Sequence, residues 1–311
     1  MEPIGASTSR EFEKNSPEIV LVNPKAGSGA ATRNAPRWKQ LLSPNHQVVS
    51  GTSPEETESL AANAAQQNVP RLVVVGGDGT LHHAINGYLS MPNTTTKLAI
   101  IPSGTANDYA ASLYQHASTN SSTTFKVDVG MIRHTNFQRY FLNVAGIGLT
   151  AHAALSSRPS PWLPARLRYT LGLMRTLTYG WRHTNTTLEI HSQIIDAEKL
   201  LTLSVAIGSR EGSFPLAPHA QLDDGKFNIL LATELRRRDV LRYLPGLMLG
   251  KLPQHDQRVQ YLVARELNLR SLTPLHLHLD GEIYGAGTLP PGCKVELTQG
   301  PQIEIELLKR T

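Results

Sequence analysis

Cysteine is nearly missing from this sequence: Cys293 is the only one in 311 residues. No internal disulfide can form, and the composition fits a reducing compartment. Long apolar runs are missing too, and none approaches the ~18 residues that a membrane-spanning helix needs. Met1 to Ser16 is polar and mixed in charge, without the apolar stretch of a secretory signal. Residues 1–17 read as a flexible tail. Glu2 is incompatible with N-myristoylation, and Lys309-Arg310-Thr311 is no prenylation box. The expected location is cytoplasmic, at most peripheral to a membrane. Acidic residues are missing from one long stretch. None occurs between Asp128 and Glu189, where Arg133, Arg139, Arg158, Arg166, Arg168, Arg175 and Arg182 all fall. With a net charge of +5 and a pI of 9.3, the surface favours anionic partners. No stretch resembles a nucleic-acid-binding module, so nucleic acid is not expected among them.

What is present is organised around Val73-Val74-Val75-Gly76-Gly77-Asp78-Gly79-Thr80. A β-branched apolar run of this kind reads as a buried, parallel strand. The following Leu81 to Leu89 reads as a helix. The turn between them has glycines that let the backbone approach a polyphosphate, and it opens a helix whose N–H groups favour anions. Asp78 is out of place beside phosphates unless a metal ion lies between them. A nucleotide–magnesium site is the reading.

The same order repeats along the first part. Ile19 to Val22 is a strand running into Asn23-Pro24-Lys25-Ala26-Gly27-Ser28-Gly29, with a helix expected over Arg33 to Leu42. The Gly-Lys-[Ser/Thr] ending of a Walker A loop is absent, which disfavours a P-loop nucleotidase. Gln47 to Val49 is a strand ending near Thr52, and Ser53, Pro54 and Glu56 form a capped helix start. Lys97 to Ile101 leads into Pro102-Ser103-Gly104-Thr105-Ala106-Asn107-Asp108 and another helix. Gln115 to Thr124 reads as a polar surface loop. Residues 18–135 therefore form an α/β domain with a parallel sheet and its functional loops on one edge. Over 136–311 the pattern changes to short strands, among them Tyr140 to Val144, Leu275 to Leu279 and Ile303 to Leu307. Helical patterns interrupt them at Leu163 to Tyr179 and Asp239 to Leu249. A mainly antiparallel β-sandwich or partial barrel is expected there.

Asn-Pro-x-Ala-Gly at Asn23, Gly-Gly-Asp-Gly-Thr at Gly76, Gly-Thr-Ala-Asn-Asp at Gly104 and Asp-Gly-Glu at Asp280 come in one order. In that conjunction the chain resembles the diacylglycerol kinase catalytic-domain family, in its short bacterial type, from Ile19 to Leu308. The resemblance implies an NAD-kinase-like first domain and transfer of the γ-phosphoryl group of ATP to a lipid hydroxyl. Asn23, Thr52, Gly76, Gly77, Asp78, Gly79, Thr80, Ser103, Gly104, Thr105 and Asn107 would surround the nucleotide. Asp78, Asp108 and Asp128 would organise Mg²⁺. Glu282 would be the proton acceptor, supported by Asp280. Gln221 and Lys226, through their carbonyls, and Asp224, through its carboxylate, would hold a second, structural Mg²⁺. The lipid would be met at an anionic membrane surface, and a homodimer is compatible with the pattern.

Two departures stand out. His83 sits where the family usually has a glutamate, and the family's glycine-rich stretch is here Ser209-Arg210-Glu211-Gly212-Ser213-Phe214. They motivate one alternative, a non-catalytic nucleotide- and lipid-binding sensor, and the Gly-Gly-Asp-Gly-Thr motif, which NAD kinases share, keeps open another, a kinase of a soluble substrate. His276-x-His278-x-Asp280 places three polar residues on one strand face, read as solvated rather than as a metal site. Trp162, Tyr169, Tyr179 and Trp181 flank the basic helix near 163–179, a composition that suits either a membrane interface or simple packing.

Overall fold

The computed structural model describes residue 12 and residues 17–119, 122–157, 163, 165–251, 253, 255–285 and 288–308. Most of the expected tail and the Pro161-Trp162 pair lie outside the described residues. Strands β1 (Glu18–Val22), β2 (Gln47–Ser50), β3 (Arg71–Gly76) and β4 (Lys97–Pro102) are parallel and stand in the order β2-β1-β3-β4. Their helices are α1 (Ala26–Arg33), α2 (Ala35–Trp38), α3 (Pro54–Gln66), α4 (Asp78–Leu89) and α5 (Asp108–Thr119). The start of α3 is as expected: Ser53 accepts from the Glu56 N–H at 3.2 Å, and Pro54 takes the first position. The helix expected over Arg33 to Leu42 is broken. Gly27, Ser28 and Gly29 all lie in the left-handed region, and the chain bends again at Asn34. Pro36 lacks an N–H, which a first turn tolerates and a helix interior does not, so a new short helix starts at Ala35. Helix α5 runs on to Thr119, so the surface loop expected from Gln115 begins later.

The second sheet has eleven strands in antiparallel pairings. They are β6 (Gly130–His134), β7 (Phe137–Phe141), β8 (Val144–Gly148), β9 (Thr184–Ile190), β10 (Gln193–Ala206), β11 (Phe227–Thr233), β12 (Val259–Ala264), β13 (Glu266–Ser271), β14 (Leu277–Leu279), β15 (Glu282–Ile283) and β16 (Lys294–Gln299). Helices α6 (Leu149–Ser157), α7 (Ala165–Tyr179) and α8 (Arg237–Met248) interrupt them. The first half of β10 pairs with β9 and its second half with both β8 and β11, so the sheet forks into a sandwich-like half-barrel. The α/β first part and antiparallel second part agree with the sequence expectation.

Two strands depart from it. β17 (Ile303–Leu307) does not join the second sheet; it runs parallel to β4 and antiparallel to β5 (Thr124–Val127), closing the first one. The strand expected over Tyr140 to Val144 is interrupted at Leu142 and Asn143, whose N–H groups turn to a side chain instead of a neighbouring strand. Buried Ile85 and Tyr109 from the first part share one hydrophobic cluster with Phe141, Ile147 and Leu279 from the second. That common core fixes the two walls of the cleft between them.

Candidate active site

The first wall of the cleft is made by the parallel-strand loops. Gly77 and Gly104 cross so closely that a Cβ on Gly104 would fall 2.4 Å from the Gly77 Cα. Asp78 opens α4, and its two carboxylate oxygens accept the N–H groups of Asp108 and Tyr109, each at 3.1 Å. A carboxylate from the Gly-Gly-Asp-Gly-Thr turn thus caps α5, the helix that follows Gly-Thr-Ala-Asn, which gives a physical reason for the two motifs to occur together. Asn107 holds its loop by exchanging bonds with Gly104, and Ser103 donates its N–H to the Gly76 carbonyl. Asn23 joins the first loop to the second by donating to Thr80 Oγ1 at 3.1 Å. Thr52 donates its N–H and hydroxyl to Glu56. Asn23, Thr52, Gly77, Asp78, Gly79, Thr80, Gly104 and Thr105 line the cleft, of about 470 Å³. Gly76, Ser103 and Asn107 stand behind them, bracing the loops.

The opposite wall is the turn between β14 and β15. Asp280 and Gly281 are both left-handed, as a two-residue Asp-Gly hairpin requires. The Asp280 carboxylate accepts four donors: the N–H groups of Leu142, Asn143 and Val144, and Nδ1 of His82. This is what interrupts the chain at Leu142. His82 in turn meets the Tyr284 hydroxyl at 2.6 Å through Nε2. Held in this way, the turn projects Glu282 over the opening of α4: a Cβ on Gly79 would fall 2.6 Å from Glu282 Oε1. Glu282 and the Gly-Gly-Asp-Gly-Thr turn, about 200 residues apart in sequence, face one cavity.

Burial pushes Asp78 upward from the ordinary carboxylate range, and the nearby Asp280 charge adds to this. Asp108, buried and facing Asp78, is pushed up to about 7. Its two oxygens accept the Ser213 N–H. Burial acts upward on Asp280 as well, but His82 and the Leu142 and Val144 N–H groups outweigh it and hold the carboxyl low. Two acids in one cleft, Asp108 buried and Asp78 half-buried, each with lone pairs left over, suit a hydrated divalent cation. Asp128 is elsewhere. It accepts from the Gly225 N–H and from Gln302, and donates its own N–H to Leu222, so it ties down the turn that carries Asp224. On that turn Asp224 accepts the Lys226 N–H at 3.0 Å, and Gln221 is exposed. Among the described residues no group of three His, Cys, Asp or Glu side chains is arranged to hold a metal.

Two participants, His82 and Glu58, were not singled out by the sequence. His82 stands beside the glycine motif, yet only its contact with Asp280 shows its role. His83 bonds Glu58, which also takes Arg139 at 3.0 Å, so the position of the usual glutamate is tied to an acid from α3. The His276, His278 and Asp280 face is not solvated. His278 is 1 % exposed and bonds the equally buried Glu211, while the His276 and His152 rings meet at a tilt of 58° with 3.7 Å between centroids. The strand is covered on both faces because α6 and the 209–214 segment lie over it. Of the aromatics near α7, Tyr169 lies over Gly212 and Trp181 packs into a core cluster, so Tyr179 is the exposed one among the described residues.

Family models match both parts of the chain: the diacylglycerol kinase catalytic domain over residues 17–135 and the YegS C-terminal NAD kinase β-sandwich-like domain over residues 143–299. A diacylglycerol kinase of Staphylococcus saprophyticus is 28% identical over 290 residues, covering 87% of this chain and 90% of that protein. One from Staphylococcus haemolyticus is 29% identical over 243 residues, covering 74% of this chain and 69% of that protein. A crystal structure of a diacylglycerol kinase from Bacillus anthracis str. Sterne shares the fold, with a TM-score of 0.63 and 20% identity over 95% of this chain and 98% of that one. The chain belongs to the diacylglycerol kinase catalytic-domain family, kinases that transfer a phosphoryl group to an alcohol, in the form that carries a YegS-type β-sandwich.

Proposed function

We propose that this chain is a lipid kinase that transfers the γ-phosphoryl group of ATP to a lipid hydroxyl such as that of diacylglycerol, with Glu282 as the proton acceptor. The observation that carries this reading is the position of Glu282 over Gly79, where a carboxylate from the second part faces the opening turn of α4. The N–H groups of that turn have no acceptor within the helix, and the crossing of Gly77 and Gly104 leaves no Cβ between backbone and phosphates. In the step, the acceptor oxygen bonds to the γ-phosphorus and the bond to the bridging oxygen of ADP breaks. The hydroxyl proton passes to Glu282 as charge leaves the acceptor oxygen. Asp78 and Asp108 would hold a hydrated Mg²⁺, which when bound neutralises phosphate charge. The lipid would enter from the side of α6 and α7, where Ala154, Ser157, Arg168 and Tyr169 line the cleft.

Glu282→Gln keeps the size of the side chain and removes the base. Transfer from labelled ATP across a panel of lipids should fall by about 10²- to 10⁴-fold, with ATP affinity by calorimetry unchanged. Undiminished turnover would remove Glu282 from the role.

A further inference from the structure

The hairpin that presents Glu282 is held by very little ladder. β14 and β15 pair through two residue pairs only, His278 with Ile283 and Leu279 with Glu282. One more backbone bond, from the Tyr284 N–H to the Leu277 carbonyl, follows them, and in so short a hairpin side chains add to what fixes the direction of Glu282. Asp280 anchors one side of the turn. On the other side, the Gly281 N–H donates to His278 Nδ1 at 3.1 Å. A backbone N–H can only donate, so Nδ1 is bare and the ring hydrogen is on Nε2. That hydrogen points at Glu211 Oε1, 2.9 Å away, and Glu211 Oε2 accepts from the Ser204 hydroxyl at 2.6 Å. The ring lies over Gly146, its partner on β8, where a Cβ would fall 2.1 Å from His278 Nε2. Glu211 and His278 are 2 % and 1 % exposed, and both border the cleft.

We infer that Glu211 and His278 are positioning residues: Glu211 selects the His278 tautomer whose bare Nδ1 accepts the Gly281 N–H, and that bond aims Glu282 at the acceptor hydroxyl. The chain of bonds runs from Ser204 on β10 through Glu211 and His278 to the peptide that joins Asp280 to Glu282. Glu211 lies in the 209–214 segment, where this sequence leaves the glycine-rich pattern of its family. The carboxylate of Glu211 takes up the imidazole of a strand 67 residues away. The inference rests on the reading of Glu282 as proton acceptor.

The test uses the full chain with ATP and diacylglycerol in mixed micelles. His278→Leu removes the acceptor for Gly281. It should lower kcat by about 10- to 100-fold, since an error near 1 Å in a reacting group can cost 10²-fold, and leave KM for ATP within about twofold. His278→Asn places Oδ1 near the position of Nδ1 and should recover kcat to within about fivefold of the parent. Adding His278→Leu to Glu282→Gln should cost nothing further, because the histidine acts through the glutamate. Equal kcat for His278→Leu and His278→Asn, a loss that appears in KM for ATP, or a further fall in the double variant overturns the inference. Undiminished turnover of Glu282→Gln overturns the reading beneath it instead. Should His278→Leu fail to fold, Glu211→Gln tests the same bond: kcat falls with His278 Nδ1 protonated by ¹⁵N NMR if the inference holds, and both stay as in the parent if it does not.

Discussion

Asp280 is the residue on which both walls of the cleft converge. Its carboxylate gathers three successive N–H groups at 142–144 and the His82 ring, so it organises the turn and leaves Glu282 the carboxylate that faces the opening of α4. Asp280→Asn keeps the shape but turns an N–H₂ toward donors. Leaving one buried donor opposite another costs about 1–3 kcal/mol, so Tm should drop by several degrees and transfer should fall with it. Differential scanning fluorimetry checks this, and an unchanged Tm would show that the four bonds are replaceable. A second residue carries a pH dependence. Burial, with the charge of His276 beside it, lowers His152 to about 4 from an ordinary 6.5. The unfolded chain then binds a proton that the folded chain refuses. Stability is full above pH 6.5 and declines as pH falls toward 4, a slope that His152→Gln should flatten relative to the parent in melts at pH 5 and pH 7.5.

At the scale of elements, the loops do not act singly. Asp78 at the start of α4 caps α5, Asn23 after β1 holds Thr80, and Gly77 lies against Gly104. A Cβ on Gly104 meets the backbone of Gly77 and the Asn107 amide at 2.7 Å, and backbone cannot swing aside as a side chain can. Gly104→Ala should therefore cost about 1–3 kcal/mol of stability and weaken ATP binding at least tenfold in calorimetry. Retention of both would mean that the loops part easily. These loops were legible because each strand end carries its own glycine, hydroxyl or acid. The departures have a shared cause: a local pattern names an element but not its partner. Ile303 to Leu307 alternates like the strands of the second sheet, and nothing in it says that it pairs with β4. The interruption at Leu142 answers to Asp280, 138 residues later. Gln115 and Ser118 are exposed near the end of α5, and composition alone does not separate an exposed helix end from a loop. Period-two spacing reads His276, His278 and Asp280 as one solvated strand face, but His278 is buried against Glu211 and Asp280, in the turn, takes up the N–H groups at 142–144.

At the scale of the whole molecule, the proposed lipid kinase would need a route from a lipid surface to the cleft. Among the described residues no helix is long and apolar enough to cross a membrane. The α6 and α7 pair forms the rear of the cleft and packs tightly at Gly172, where a Cβ would fall 2.5 Å from the Ala153 carbonyl. On its outer side Leu155, Leu167, Leu171 and Tyr179 are exposed, beside Arg175 and within the stretch that has no acidic residue. Leucines on an exposed helix face lie in the interface of a bilayer at little cost, and the missing acids remove repulsion from anionic headgroups. Each leucine inserted contributes about 1 kcal/mol at such partial exposure, so Leu167→Ser with Leu171→Ser should weaken binding to phosphatidylglycerol-containing vesicles by about tenfold or more. Arg175→Gln should weaken it about fivefold on those vesicles and leave binding to phosphatidylcholine vesicles unchanged. Cosedimentation measures both, and ATP affinity should not move, since none of the three side chains lines the cleft. If the leucine variant binds vesicles as the parent does, the outer side of α7 is not the face that meets the membrane.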